Sequence, residues 1–425
     1  MSLPPLRRLA DGTVKQAGPL TGTRVWTVPG RANRPLAATR PAPRDLAPGE
    51  ATRLCAFCQD RYMETTPEKA RLVGPSFERV DRVPASALND SVAEFRRFGN
   101  LFEIVSAEYW RDNHGFEAAA DVVAWADDYL ADPVGHDHIS TLAAIRAAST
   151  GVAVDLRTAA LDLVGGSHDV VVARRHVHDG AARDDELVSS GELTPDEHAA
   201  YLAFTIDAMS EIAAAQPYAA YVSVFQNWLR PAGASFEHLH KQLVAIDEYG
   251  PQTERELAML EIDRRLYQYA VADLSVREGL VVAATDGAVA VAGVGHRYPA
   301  FEVYSTAGAH HPADHTPAQQ RAVSDLVHAL HAATGVLVPT NEEWHYRPAP
   351  AAAPMPWRIV LKWRISNPAG FEGDTKVYVN TIDPWTLRRR AVDELTRLRG
   401  EGRIADGIRI GDECAPGDAR LHYAD

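Results

Sequence analysis

Gly233-Ala234-Ser235-Phe236-Glu237-His238-Leu239-His240-Lys241-Gln242-Leu243-Val244 is the stretch on which the reading of this chain turns. Its core is His-x-His-x-Gln followed by two apolar residues. In extended backbone, side chains repeat every second residue, so His238, His240 and Gln242 fall on one strand face. Three phosphate-competent polar groups are wasteful in a core. The glycine and serine just upstream allow backbone and hydroxyl to approach a ligand closely. The competing reading is a solvated strand face with two incidental histidines. Spacing alone does not choose between them, so the flanking chain has to decide.

Immediately upstream, residues 221–227 read as a strand and Pro231-Ala232-Gly233 as a turn. Before them, Thr194 is an N-cap with Pro195 in the first turn and Glu197 closing a capping box, and the helix runs to about Ala214. Gly165-Gly166-Ser167-His168 precedes a valine run of the buried-strand type, whose end delivers Arg174, Arg175, His176 and His178 to a loop. Strand, histidine-bearing loop, helix, strand, turn, strand make one α+β unit. The order recurs more faintly downstream, with a strand at 297–304, a helix from Thr316-Pro317 to about Thr334, and strands at 341–346 and 357–365. A duplicated architecture of antiparallel sheets and packed helices is expected, with units at 1–250 and 251–425. A strand to Asn380 and a helix from Pro384 to Leu398 follow.

The length of 425 residues is ample for a large core, and the composition of 46% hydrophobic and 24% charged residues is that of a soluble globular protein. A net charge of -14 argues against broad nucleic-acid binding while leaving room for a local pocket for one nucleotide. No apolar run is long enough to span a bilayer and no signal-peptide pattern opens the chain, so no membrane partner and a cytoplasmic location are expected. Three cysteines are too few for a disulfide framework. Two of them form Cys55-Ala56-Phe57-Cys58, flanked by polar loops rather than by the strand and helix of a redox pair, which favours a metal half-site. Arg31 and Arg34 sit on a turn after a short strand, where guanidinium groups can reach a phosphate, although the turn by itself reads rather as a surface loop with two solvated arginines. Residues 98–105 read as a turn leading into a strand. A helical segment near 106–164 follows, with His136 and His138 at a polar Pro-Val-Gly turn.

Taken together, these residues resemble the galactose-1-phosphate uridylyltransferase branch of the HIT superfamily. Leu20-Thr21-Gly22 through Arg31-Ala32-Asn33-Arg34-Pro35 looks like that family's "PLTG…R-x-x-RP", and Cys55-Ala56-Phe57-Cys58 with Thr66-Pro67-Glu68 like its "CPFC…TPPE". Asn100-Leu101-Phe102 is similar to its "N-x-F" loop. Asn227 and Ser235 precede the histidine motif at the family's spacing, and Gly370-Phe371-Glu372 resembles its late "G-(F/Y)-E".

The resemblance implies two HIT-like units, the second degenerate, and a nucleotidyltransferase acting on a nucleoside diphosphate sugar and a sugar 1-phosphate. It implies His240 as the nucleophile that becomes a nucleotidyl-histidine, Gln242 and Ser235 as phosphoryl contacts, and Asn100, Asn227, Arg31, Arg34, Gly370, Phe371 and Glu372 as substrate-binding residues. Arginines of this kind can come from a partner subunit, which implies a homodimer. A zinc ion is implied on Cys55, Cys58, His238 and His176, with His114 as the alternative fourth ligand. If His238 serves zinc and His240 serves phosphorus, the stretch must bend or bulge near Leu239.

This chain departs from the family pattern in three places. Glu237 and Lys241 are unusual beside a phosphate. The segment near 106–164 is an insertion. Glu256 and His345 resemble ligands of the family's second metal, but Trp357-Arg358-Ile359-Val360 replaces its His-x-His, so no second metal is expected and His345 is read as structural. The run from Gly370 to Asn380 is closer to the family's nucleotide-sugar phosphorylases. A phosphorylase or hydrolase of the same fold, ADP-glucose phosphorylase-like, is therefore one alternative, and an inactive nucleotide-binding scaffold is another.

Overall fold

The computed structural model describes residues 4–31 and 42–425. Three short strands open it: β1 (Leu6–Arg8), β2 (Val14–Ala17) and β3 (Arg24–Thr27). Then come β4 (Glu68–Val73), β5 (Glu78–Asp81) and β6 (Ala93–Gly99). Helices α1 (Ala107–His114), α2 (Ala120–Ala131), α3 (Pro133–Thr150) and α4 (Leu156–Gly165) follow in succession. Strand β7 (His168–Ala173), helix α5 (Pro195–Ala215), and strands β8 (Tyr221–Trp228) and β9 (His240–Ile246) complete the first half.

Helices α6 (Pro251–Ile262) and α7 (Asp273–Arg277) lead into β10 (Val281–Ala284), β11 (Ala288–Ala292) and β12 (Ala300–Ser305). Helix α8 (Pro317–Thr334), β13 (Thr340–His345) and β14 (Arg358–Trp363) follow. The chain closes with α9 (Gly370–Thr375), β15 (Val377–Asn380), α10 (Pro384–Gly400) and β16 (Arg409–Ile410).

Among the described residues, twelve strands form one antiparallel sheet in the order β16-β10-β11-β12-β14-β13-β8-β9-β7-β6-β4-β5. The order β4-β6-β7-β9-β8 of the first half is repeated as β10-β11-β12-β14-β13 in the second, and the halves meet where β8 pairs with β13. Register repeats as well. His240, first in β9, lies opposite Val172, and Arg358, first in β14, lies opposite Tyr304, each the fifth residue of its partner strand. The fold is mixed α+β, as the element order indicated. A smaller sheet, β1-β2-β3-β15, joins the start of the chain to its end through a parallel β3–β15 pair.

Helices α5 and α8 lie side by side on one face of the large sheet. Both begin with Thr-Pro and a capping box, closed by Glu197 in α5 and by Gln319 in α8. Such a box satisfies two otherwise orphaned backbone N–H groups. Val170, Val171 and Val172 are all buried in β7, the strand inside the sheet that β-branched residues favour.

Two local expectations fail. The strand near Asn100 ends at Gly99, and residues 100–105 form a loop. His136 and His138 lie within α3, because Asp132 caps Val134 and Pro133 takes the first helical position, where its missing N–H costs nothing. His138 is buried. One ring nitrogen contacts the Tyr129 hydroxyl at 2.8 Å and the other lies 2.9 Å from the Thr65 carbonyl oxygen, which ties the α1–α4 segment to the loop ahead of β4. No helix among the described residues is long and apolar enough to cross a membrane.

Candidate active site and metal centre

The chain turns sharply between β8 and β9. The turn at Arg230–Ala232 hands over to Gly233 at φ +95°, a left-handed conformation that an L side chain rarely adopts. The backbone stays irregular through His238 and becomes strand only at His240. The histidine motif is therefore bent at Leu239, and its two histidines serve different surroundings.

His238 is fully buried among Cys55, Cys58 and His176. The sulfur atoms stand 3.8 Å apart, His238 Nδ1 lies 3.5 Å from Cys55 Sγ and 3.7 Å from Cys58 Sγ, and His176 Nδ1 lies 3.5 Å from Cys58 Sγ. A tetrahedral ion with metal–sulfur bonds of about 2.3 Å and metal–nitrogen bonds of about 2.0 Å has edges of roughly 3.8 and 3.5 Å, so these four atoms fit one metal ion. His238 Nε2 lies 2.7 Å from the Ala173 carbonyl oxygen and donates to it, which leaves Nδ1 as the lone-pair nitrogen facing the sulfurs. Cys58 is driven toward thiolate, first by the Cys55 thiol beside it and then by His176 and His238, the charge state a soft cation takes. His114 lies elsewhere, 2.8 Å from Asp247, so the fourth member of the cluster is His176.

His240 and Gln242 face a cavity of about 590 Å³, lined also by Asn100, Asn227, Ser235 and His168, with Phe57, Phe98, Phe102, Phe225 and Phe236 supplying apolar wall. Of the residues proposed from sequence, His240, Gln242, Ser235, Asn100 and Asn227 thus converge on one space. His240 Nδ1 is 2.7 Å from the carbonyl oxygen of His238 and donates to it, so the neutral ring keeps its lone pair at Nε2. Burial takes its pKa down to about 4, which keeps the ring neutral at physiological pH. Phe57 meets it edge-on at 5.2 Å.

The amide of Asn227 is held by a chain of fixed polarity. Arg364 Nη1 donates to Asn341 Oδ1 at 2.6 Å. The Asn341 NH2 therefore donates, to Asn227 Oδ1 at 2.6 Å and to the Ala232 carbonyl at 2.8 Å. With its oxygen engaged, Asn227 turns its own NH2 toward the cavity. Neutral donors of this kind at the wall suit an anionic oxygen.

The remaining proposed residues lie outside this space. Arg31 is exposed at the end of the turn after β3 and does not line the cavity, and Arg34 falls outside the described residues. Gly370, Phe371 and Glu372 sit on α9, with Phe371 packed on Trp26 of β3 at 6.4 Å, and none of them lines the cavity. Lys241 is not near it either. Alternation turns its side chain to the helix-covered face, where Nζ meets Glu342 at 2.5 Å and Gln226 at 3.2 Å. In the second half Arg358 takes the place matching His240 and donates through both Nη atoms to Glu256, at 2.8 and 2.7 Å, beneath the Tyr267 ring.

The fold has solved counterparts. An ADP-glucose phosphorylase from Arabidopsis thaliana, with bound ADP-glucose, superposes with a TM-score of 0.59 at 18% identity, over 89% of this chain and 97% of that one. A galT-like protein from Arabidopsis thaliana gives a TM-score of 0.57, again at 18% identity over 89% and 97%. The uridylyltransferase-like resemblance is met at the level of the fold. Against curated protein sequences the chain finds no match. The profile of a domain of unknown function, DUF4921, matches residues 9–423, nearly the whole length, and the chain belongs to the DUF4921 family.

Proposed function

We propose that this protein is a nucleotidyltransferase acting on a nucleoside diphosphate sugar through a covalent nucleotidyl-histidine on His240. The observation that carries the reading is a neutral imidazole with its lone pair at Nε2, in a cavity beside amide groups suited to an anion. His240 Nε2 attacks the α-phosphorus, the bond to the bridging oxygen breaks, and sugar 1-phosphate leaves with that oxygen. An incoming phosphate oxygen then displaces His240 and carries away the nucleotidyl group. Gln242, Asn227, Asn100 and Ser235 bind the phosphoryl oxygens and the nucleotide, and the phenylalanine wall takes the base. Cys55, Cys58, His176 and His238 hold zinc, which supplies a structural tie between the Cys-x-x-Cys loop and the strand bearing His240. The site works in a homodimer, with Arg31 and Arg34 supplied across the subunit interface and Gly370, Phe371 and Glu372 as further substrate contacts, in a reducing cytoplasm that keeps the cysteines from oxidation.

Two acceptors fit this chemistry. A sugar 1-phosphate acceptor makes the enzyme a hexose-1-phosphate uridylyltransferase-like transferase. Inorganic phosphate makes it a nucleotide-sugar phosphorylase, a reading favoured by the similarity in fold to an ADP-glucose phosphorylase. Incubation with α-labelled UDP-glucose and ADP-glucose should leave acid-labile label on the protein, absent from His240→Asn. No label from either nucleotide sugar would sink the proposal. Release of the label to phosphate, as against glucose 1-phosphate, separates the two acceptors.

A further inference from the structure

The active-site reading leaves His168 without a role, although it lines the cavity and is 1% exposed. It sits at the start of β7, is not a member of the Cys/His cluster, and contacts three other groups. The backbone N–H of Ile104 points at its Nδ1 from 3.0 Å. Its Nε2 lies 3.1 Å from Gln242 Oε1 and 3.2 Å from Asn100 Nδ2.

These contacts admit one tautomer. A backbone amide can only donate, so Nδ1 must accept and carries no proton. A neutral ring then holds its single proton at Nε2, and burial favours the neutral ring by lowering the pKa. Nε2–H needs an acceptor, and of its two neighbours only Gln242 Oε1 offers one. The Asn100 oxygen is engaged by the Phe102 N–H at 2.9 Å, so the Asn100 NH2 rests against the ring without a hydrogen bond to it. With its oxygen taken, Gln242 has its NH2 free to face the cavity.

We propose that His168 is a positioning residue that fixes the Gln242 amide with its NH2 toward the substrate, the tautomer being set by the Ile104 backbone. The assignment rests on the nucleotidyl-transfer reading for its purpose, though not for its geometry. Without His168 the Gln242 amide is free to turn, and an oxygen facing the phosphoryl group replaces attraction with repulsion. The Arg364–Asn341–Asn227 chain imposes the same orientation on the other amide, so both are set by neighbours rather than by the ligand.

The test uses His168→Gln, whose side-chain amide can place an N–H close to the lost Nε2–H, and His168→Leu, which cannot. Removing a positioned donor costs on the order of a hundredfold in rate. His168→Leu should lower the rate of label uptake by about that factor, with less than about a threefold change in KM. His168→Gln should recover at least about tenfold of the loss. Equal loss in both variants, or none in His168→Leu, overturns the assignment.

Long-range proton–nitrogen correlation on protein labelled with 15N-histidine, with His168 identified by its absence in the variant, should show a neutral ring protonated at Nε2. A ring protonated at Nδ1 overturns it. If the wild type takes no label, the activity reading falls and the spectrum still decides. Affinity for UDP and ADP then replaces rate as the second readout, weakened in His168→Leu and recovered in His168→Gln if the assignment holds.

Discussion

Lys241 Nζ meets Glu342 Oε1 at 2.5 Å in the core, with 1% of one side chain and none of the other reaching solvent. The pair spans three strands, since β8 lies between β9 and β13, and Gln226 of β8 contacts the same ammonium. Glu342 also accepts from Trp344 Nε1 and contacts His331 Nε2, each at 2.7 Å. Leaving one buried charge without its partner costs about 3–5 kcal/mol, whereas removing both is much milder. Lys241→Met and Glu342→Gln should each destabilise by roughly that much, and the double variant by clearly less than the sum. Urea denaturation checks this; strict additivity would show that the two residues do not act as a pair.

The Cys/His quartet predicts metal stoichiometry. Elemental analysis should find about one zinc per chain in the wild type and almost none in Cys58→Ser, with a lower melting temperature in the variant. His114→Ala should keep its metal, because His114 pairs with Asp247 instead. Full metal content in Cys58→Ser would place the ion elsewhere.

Amide donors facing the cavity predict a preference for charge. Gln242→Glu and Asn227→Asp preserve shape and replace an NH2 by a carboxylate oxygen. Each should weaken UDP or ADP binding by at least about tenfold, the scale of one lost charge-assisted hydrogen bond plus repulsion. Uridine and adenosine, which lack phosphate, should be affected little. Calorimetric titration distinguishes the two, and equal effects on nucleoside and nucleotide would mean the amides do not face the phosphates.

Glu103 predicts a pH dependence of stability. Burial raises its carboxyl to about 7, against the partial relief given by Arg146 at 3.3 Å. The unfolded value is near 4.5, so between the two the folded chain binds a proton that the unfolded chain does not. Stability from this group is therefore present below about pH 4.5 and lost as pH rises through about 7, by roughly 3 kcal/mol in all. Glu103→Gln should become the more stable protein at pH 8 and lose that advantage at pH 5. Denaturation curves at both values decide it, and a constant difference between the two proteins would refute it.

Much of this site could be read from sequence, for reasons that are local. A capping box, a Cys-x-x-Cys and a His-x-His-x-Gln carry their chemistry within a few residues, and Thr194, Cys55 and His240 are found where such patterns put them. Other features depended on distant partners. His168 reads as an ordinary buried histidine, because its role comes from Gln242 and from the backbone N–H of Ile104, 74 and 64 residues away, and a backbone amide has no side-chain signature. Lys241 stands between His240 and Gln242 in sequence but pairs with Glu342, 101 residues away, which no local pattern shows. Pro133-Val134-Gly135 has the composition of a turn, yet Pro133 is a helix's first residue, a distinction made by the Asp132 cap.

The seam between β8 and β13 also bears on how the chain avoids sticking to itself. Each half holds a full set of strands, yet β8 has β9 on one side and β13 on the other. A chain ended after β9 would bare the outer edge of β8, which carries Val222, Val224 and Trp228 on one face, and leave a row of backbone donors and acceptors unmatched. Such an edge recruits any strand that fits, another copy of itself included. By covering it, the second half serves as a built-in guard against aggregation, a task that its retained architecture can perform without a histidine where Arg358 now stands.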